Sequence, residues 1–284
     1  MTTTKQILTA ALIAALTGFT ACSKSNVDEN EKVTITVTVS GMDAQTKSLD
    51  GTGAGTLNGE TIRLDYTGGT SSGSTNFTIG TTILYWDELI AAHGNPPFNF
   101  SAFHPTISAA VHTSGFNVVT ETNPDLLYAS VSGINRSEKV NLVFDHIMHK
   151  LVINLTSNNS YYTAAQLNAA TITLKNLKST AAVSANGVVN LNNASGSDAY
   201  PTKTGTNNFF IVAPQTLTEG TDFLEVTVNG KTFVRKVCSE VTALESGKVL
   251  TLNLSVGRDQ LTLDGQNVNQ WGSQGTITED LFPN

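Results

Sequence analysis

The chain has 284 residues, enough for one large β domain or two of ordinary size, and only 14% of them are charged. Glycine, serine, threonine and asparagine fill the spaces between short apolar runs, so the composition favours an all-β protein of strands and turns over helices or disorder. The formal net charge of −7 makes nucleic acid a poor partner, because phosphate binding needs clustered Lys and Arg that the sequence lacks.

Residues 1–21 read as a processing signal and not as part of the fold. Lys5 supplies a thin positive start, Ile7 to Phe19 form an apolar stretch too short for a transmembrane helix, and Phe19-Thr20-Ala21 brings small residues up to Cys22. A cysteine directly after Ala21 resembles a bacterial lipobox, which implies cleavage before Cys22, acylation of its thiol and anchoring in outer-membrane lipid; an ordinary secretory signal is the alternative. Loss of Lys5 with the signal leaves 15 of the 16 basic side chains against 23 acidic ones, a net −8. Of the two cysteines, Cys238 then stands alone, makes no intrachain disulfide and reads as a small strand residue.

Residues 22–32 form a short acidic tether, expected to be disordered. Val33-Thr34-Ile35-Thr36-Val37-Thr38-Val39 then alternates β-branched apolar residues with threonine, the period-2 pattern of a half-buried strand with Val33, Ile35, Val37 and Val39 on its core face. The segment Gly41 to Gly59 is too glycine-rich for regular structure and reads as a protease-accessible loop carrying Lys47. Strand patterns resume at Thr61–Tyr66 and Asn76–Ile79, a hairpin with a mobile tip at Gly68–Ser74. One short helical turn starts at Trp86. The alternating Phe98–Phe103 predicts a strand that ends at His104-Pro105, followed by strands at Asp125–Ala129 and Val140–His146.

Between His146 and Lys150 the apolar phase flips, which calls for a bulge or a helical turn. Ser157-Asn158-Asn159-Ser160 reads as a linker, dividing the chain into an N-terminal domain over 33–157 and a C-terminal domain over 158–284. Thr163 to Ala170 can form the one short helix of the second half, with Thr163 as N-cap. Everything after it reads as strands, at Thr171–Leu174, Val188–Leu191, Phe209–Pro214, Phe223–Val228, Thr232–Val237 and Val249–Val256. Asn229-Gly230 sets a hairpin, because both central positions of a type I′ turn need a positive φ. The tail Leu261 to Asn284 holds Trp271 and two weak strand patterns, Leu261–Leu263 and Thr276–Thr278.

Catalytic and ligand motifs all have a structural reading. His146 and His149 stand three apart beside Asp145, but zinc needs three or four converging ligands and the other histidines have no matching spacing, so no metal and no cofactor is expected. Gly69-Thr70-Ser71-Ser72-Gly73 matches the G-x-S-x-G of hydrolase elbows, yet lies in a loop between short strands instead of a strand-to-helix turn. Gly230-Lys231-Thr232 resembles the end of a phosphate loop but lacks the first glycine, with Glu225 in its place, and no helix follows. The two tryptophans and Tyr161-Tyr162 are candidate glycan platforms, or more often parts of a β-sandwich core.

Taken in order, the lipobox ending in Cys22, the strand Val33–Val39, Phe98-Asn99-Phe100-Ser101-Ala102-Phe103-His104-Pro105, the pair Asp125–Ala129 and Val140–His146, and Phe210-Ile211-Val212-Ala213-Pro214-Gln215 resemble the fimbrillin family of Bacteroidetes, subunits of type V pili and their Mfa-like relatives. The resemblance covers nearly the whole chain. It implies two transthyretin-like β-sandwich domains in tandem, a non-enzymatic role, export as a lipoprotein and a place in the fimbrium at the cell surface. It also implies trypsin-like cleavage after the first strand, which frees a groove for the C-terminal segment of a neighbouring pilin subunit, in a homo- or heteropolymer. Family members are cut after arginine; here the matching loop offers Lys47, and Arg63 lies inside a predicted strand. The alternative is a monomeric surface lipoprotein that binds glycan or a host protein.

Overall fold

The computed structural model describes residues 31–39, 57–108, 115–190, 200–258, 261–267 and 279–281. In chain order they form β1 (Ile35–Val39), β2 (Thr61–Thr67), β3 (Ser72–Thr78), helix α1 (Trp86–His93), β4 (Phe98–His104), β5 (Phe116–Asn117), β6 (Leu127–Ile134) and β7 (Val140–His146). The second half contributes β8 (His149–Ser157), α2 (Ala164–Asn168), β9 (Thr171–Leu174), β10 (Thr180–Val183), β11 (Val189–Asn190), β12 (Lys203–Thr204), β13 (Asn207–Val212) and β14 (Gln215–Thr216). It ends with β15 (Asp222–Val228), β16 (Lys231–Lys236), β17 (Ala243–Leu244), β18 (Val249–Val256), β19 (Leu261–Asn267) and β20 (Glu279–Leu281). The protein is mostly β, as its composition predicts.

The strands form a six-stranded sheet in the order β1-β7-β6-β4-β2-β3, a five-stranded sheet β13-β8-β18-β19-β20, a four-stranded sheet β12-β9-β15-β16, and two small sheets, β11-β10-β5 and β14-β17. Among the described residues most ladders are antiparallel, but two are parallel: β1 with β7, and β8 with β18. Two apolar clusters follow the sheets. The first gathers Ile62, Leu64, Trp86, Phe98, Phe100, Leu142 and Phe144 between the six-stranded sheet and α1. The second is larger and gathers Leu151, Ile153, Ile172, Leu224, Val226, Leu252 and Leu254 from the later sheets. Full burial of each such side chain stabilises by roughly 1.5–3 kcal/mol.

The phase flip at His146–Lys150 has a cause that neither a bulge nor a helical turn describes. Val140, Leu142 and Phe144 face the first cluster, whereas Ile147, Met148, Leu151 and Ile153 face the second. The chain leaves one sheet at His146 and enters another at His149, so the inward parity changes because the core changes. Consequently β8 has all its ladder partners after residue 206, although it precedes the expected boundary at Ser157.

Other elements differ in extent. The turn at Trp86 is an eight-residue helix with Asp87 and Glu88 in its first turn and His93 in its last, each suited to the helix dipole. The strand expected from Asp125 starts at Leu127 and runs on to Ile134. The Gly68–Ser74 tip is tighter than expected: Gly68 N–H donates to the Ser71 carbonyl at 3.0 Å and β3 already begins at Ser72. Helix α2 has the capping box its sequence predicts, with the Thr163 hydroxyl accepting from Gln166 N–H and the Gln166 side chain accepting from Thr163 N–H. Asn229 and Gly230 have φ of 50° and 78°, as the hairpin between β15 and β16 requires.

Candidate assembly site around the first strand

Strand β1 is an edge strand of the six-stranded sheet, with Ile35, Val37 and Val39 in register with Val140, Leu142 and Phe144 of β7. Its threonines face solvent, and the Thr36 hydroxyl bonds the Asn141 side chain. Val33 is buried, whereas Ile35, Val37 and Val39 are half-buried against the first core. The apolar gain of these three therefore falls toward the lower end of the 1.5–3 kcal/mol range for full burial.

The segment just before β1 is not outside the fold, contrary to the expectation of a disordered tether through residue 32. Trp86 N–H donates to the Glu31 carbonyl at 2.9 Å, Val33 N–H donates to the Leu84 carbonyl at 2.8 Å, and Lys32 forms an antiparallel bridge with Tyr85. Arg136, on the turn between β6 and β7, adds a two-pronged clamp. Its Nε lies 3.2 Å from Glu31 Oε2 and its Nη1 lies 2.8 Å from Asp87 Oδ1 on α1. A hydrogen bond from Ser137 and the Arg136 guanidinium hold the Glu31 carboxyl below its usual range, against the opposing effect of desolvation. Sequence reading missed this clamp, because Glu31 and Arg136 are 105 positions apart and no local pattern links them.

The other assembly residues are spread differently. Cys22 and Lys47, the expected lipidation and cleavage positions, lie outside the described residues, as do Trp271 and Thr276–Thr278. Arg63 is held on the face of β2, with Nε 3.0 Å and Nη2 2.9 Å from Asp65 Oδ1. Within the expected donor region, Leu261–Asn267 is paired with the chain's own β18, while Glu279–Leu281 is a three-residue edge strand on β19.

The remaining motifs resolve into structural roles. His146 Nδ1 pairs with Asp125 Oδ1 at 2.8 Å, while His149 Nδ1 donates to the Glu245 carbonyl at 2.9 Å, so the two imidazoles serve separate partners. Burial pushes the His149 imidazole down to about 4. Among the described residues no group of three metal-ligating side chains converges. Ser71 Oγ does lie 2.9 Å from His93 Nδ1, the one contact in G-x-S-x-G that looks like chemistry. Ser71 Oγ also reaches the Ala92 carbonyl at 3.3 Å, so the contact ties the β2–β3 turn to the C-terminal end of α1. The neighbouring glycine is there for space, since a Cβ on Gly73 would meet Tyr66 Cε2 at 2.5 Å and His93 Cε1 at 2.7 Å. Trp86 and Tyr162 are buried, leaving Tyr161 as the exposed member of the tyrosine pair. Cys238 is free and half-buried, and burial pushes its thiol up.

A family model for fimbrillin-like proteins matches residues 19–271. The chain belongs to the fimbrillin-like family. Fimbrillin-like proteins are structural and adhesive, not enzymes, which agrees with a tethering role for Ser71 and His93. Among solved structures, a candidate cell adhesion protein from Bacteroides uniformis aligns with a TM-score of 0.64 at 18% identity, covering 86% of this chain and 100% of that one. A second candidate cell adhesion protein, from Bacteroides thetaiotaomicron, aligns at 0.52 and 20% identity, covering 79% and 93%. A fimbrial assembly protein from Parabacteroides distasonis aligns at 0.53 and 8% identity, covering 88% and 99%. At these identities the likeness is one of fold. None of the curated proteins matches the sequence significantly.

Proposed function

We propose that this fimbrillin-like chain is the precursor of a fimbrial or adhesive subunit of the outer-membrane surface, anchored through Cys22 and matured by cutting at Lys47. Cutting lets β1 leave, and a strand from a neighbouring subunit takes its place on β7. The two apolar cores are read as tandem transthyretin-like sandwiches, and the change of sheet partners supports a division at Ile147–Met148 instead of Ser157.

The observation that carries this reading is the construction of β1. Among the described residues it is an edge strand, half-buried and held by one full ladder, so it can be exchanged without opening the rest of the sheet. Its departure would bare the β7 edge together with the apolar surface under Val33, a combination that invites another strand and otherwise promotes aggregation. The segment Glu279–Leu281 is the described part of the C-terminal region with the least pairing of its own, which suits a donor.

The test is the N-terminus of the protein on cells. Mass spectrometry of surface extracts is expected to find a form that begins at Ser48 alongside the acylated Cys22 precursor, and unboiled extracts are expected to run as a ladder that disappears when 261–284 is deleted. Finding only acylated Cys22, with no ladder, would sink assembly by strand exchange.

A further inference from the structure

We propose that the outer face of the six-stranded sheet is a binding site for a neutral oligosaccharide. This goes beyond strand exchange and does not depend on it. The face opens into a cleft of about 700 Å³ between the sheet and the β10–β11 turn, within the roughly 300–1,000 Å³ typical of ligand pockets. Its floor is a grid set by strand register. Ser74, Asp65, Ser101 and Ser130 stand directly opposite one another across β3, β2, β4 and β6. Two positions further along, Ser72, Thr67 and Asn99 form a second row. At about 4.8 Å per strand, the first row offers hydroxyl and carboxylate groups over about 14 Å.

Charge and hydrogen bonding define the ligand class. Arg63 and Asp65 are the charged groups of the cleft and cancel each other, with Arg63 Nη1 also donating to the Ile107 carbonyl at 3.2 Å. A carboxylate has about four acceptor sites and a guanidinium five donors, so the pair keeps capacity to spare while remaining neutral. Asn99 is oriented by its own contacts: Oδ1 accepts from Gly133 N–H at 3.0 Å, which turns its amide nitrogen toward Thr67. Among the described residues, no hydrogen bond engages the hydroxyls of Ser74, Ser101 or Ser130. Donors and acceptors without net charge, set beside the apolar surface of Tyr128, match a ligand that carries hydroxyls on a carbon ring. An acidic glycan would meet no uncompensated cation, and an apolar ligand would strand the hydroxyls unpaired.

The far wall is closely packed. Gly187, at φ 76°, packs so closely on the Tyr128 ring that a Cβ there would lie 2.2 Å from Cδ1, and the ring is also 4.9 Å from Phe103. Asn186 at the turn tip bonds the Ser184 hydroxyl and overhangs the grid.

The test titrates the full chain with maltohexaose, mannohexaose and cellohexaose by calorimetry, with hexagalacturonate as the acidic comparison. At least one neutral hexasaccharide is expected to bind, with affinity at least tenfold weaker in Ser101→Trp and in Ser130→Trp, and unchanged in Thr232→Trp on the β16 hairpin. Asp65→Asn leaves Arg63 uncompensated and is expected to move preference toward hexagalacturonate, an outcome that survives if either tryptophan variant fails to fold. No binding of any neutral hexasaccharide, preference of the unaltered chain for hexagalacturonate, or binding unaffected by both tryptophans would overturn the proposal.

Discussion

His149 shows how one buried side chain makes stability depend on pH. The ring is fully buried, its Nδ1–H is spent on the Glu245 carbonyl, and its Nε2 has no partner, so the folded protein holds the imidazole neutral down to about pH 4. In the unfolded chain the same group titrates near 6.5. Between those values the unfolded state binds a proton that the folded state refuses, so stability is complete above about pH 6.5 and falls as the pH drops, by at most about 1.4 kcal/mol per pH unit. His104 is lowered by burial too and acts with the same sign. Urea unfolding is expected to give a lower free energy at pH 5 than at pH 7. The gap should narrow in His149→Gln, whatever that variant does to stability at pH 7; an equal gap in both proteins would remove His149 as the cause.

At the scale of elements, β1 is fastened by parts of unequal strength. Its ladder with β7 and buried Val33 resist exchange, while Arg136 holds the preceding residues through two partly exposed ion pairs, which contribute much less than the ladder. Arg136→Ala is expected to speed amide hydrogen exchange over residues 31–39 by up to roughly tenfold while leaving β18 unchanged, and about 0.5 M salt should reproduce much of the effect, since exposed pairs are screened. Exchange at 31–39 that ignores both changes would show the clamp to be idle. The strand itself was legible because threonine and β-branched residues alternate over Val33–Val39, and the hairpin at Asn229-Gly230 because its residues demand positive φ. Short strands such as β5, β12, β14 and β17 were not, since two residues carry no period. The clamp, the oligosaccharide grid and the parallel ladders depend on which distant strands become neighbours, and alternation within one strand is silent about that.

Across the whole molecule, the two cores are tied together more closely than a linker at Ser157 would allow. Phe103 belongs to β4 of the first sheet but is fully buried in the second cluster, beside Tyr128. Phe103→Ala is expected to cost about 3–5 kcal/mol, the range for emptying a buried phenylalanine site. Amide protection should fall in β8 and β18 as well as in β4; a loss confined to β4 and its neighbours would mean that the cores are energetically separate. The passage from β7 to β8 takes only Ile147 and Met148, and both are buried. That brevity has a mechanical meaning. A tensile load borne by β7, as in a filament under flow, reaches β8 with no slack to absorb it, and there meets a ladder on each side, with β13 and with β18. In the proposed filament, extension under force would have to come from rupture of those ladders or from the joints between molecules, and the unfolding barrier sets the first of these.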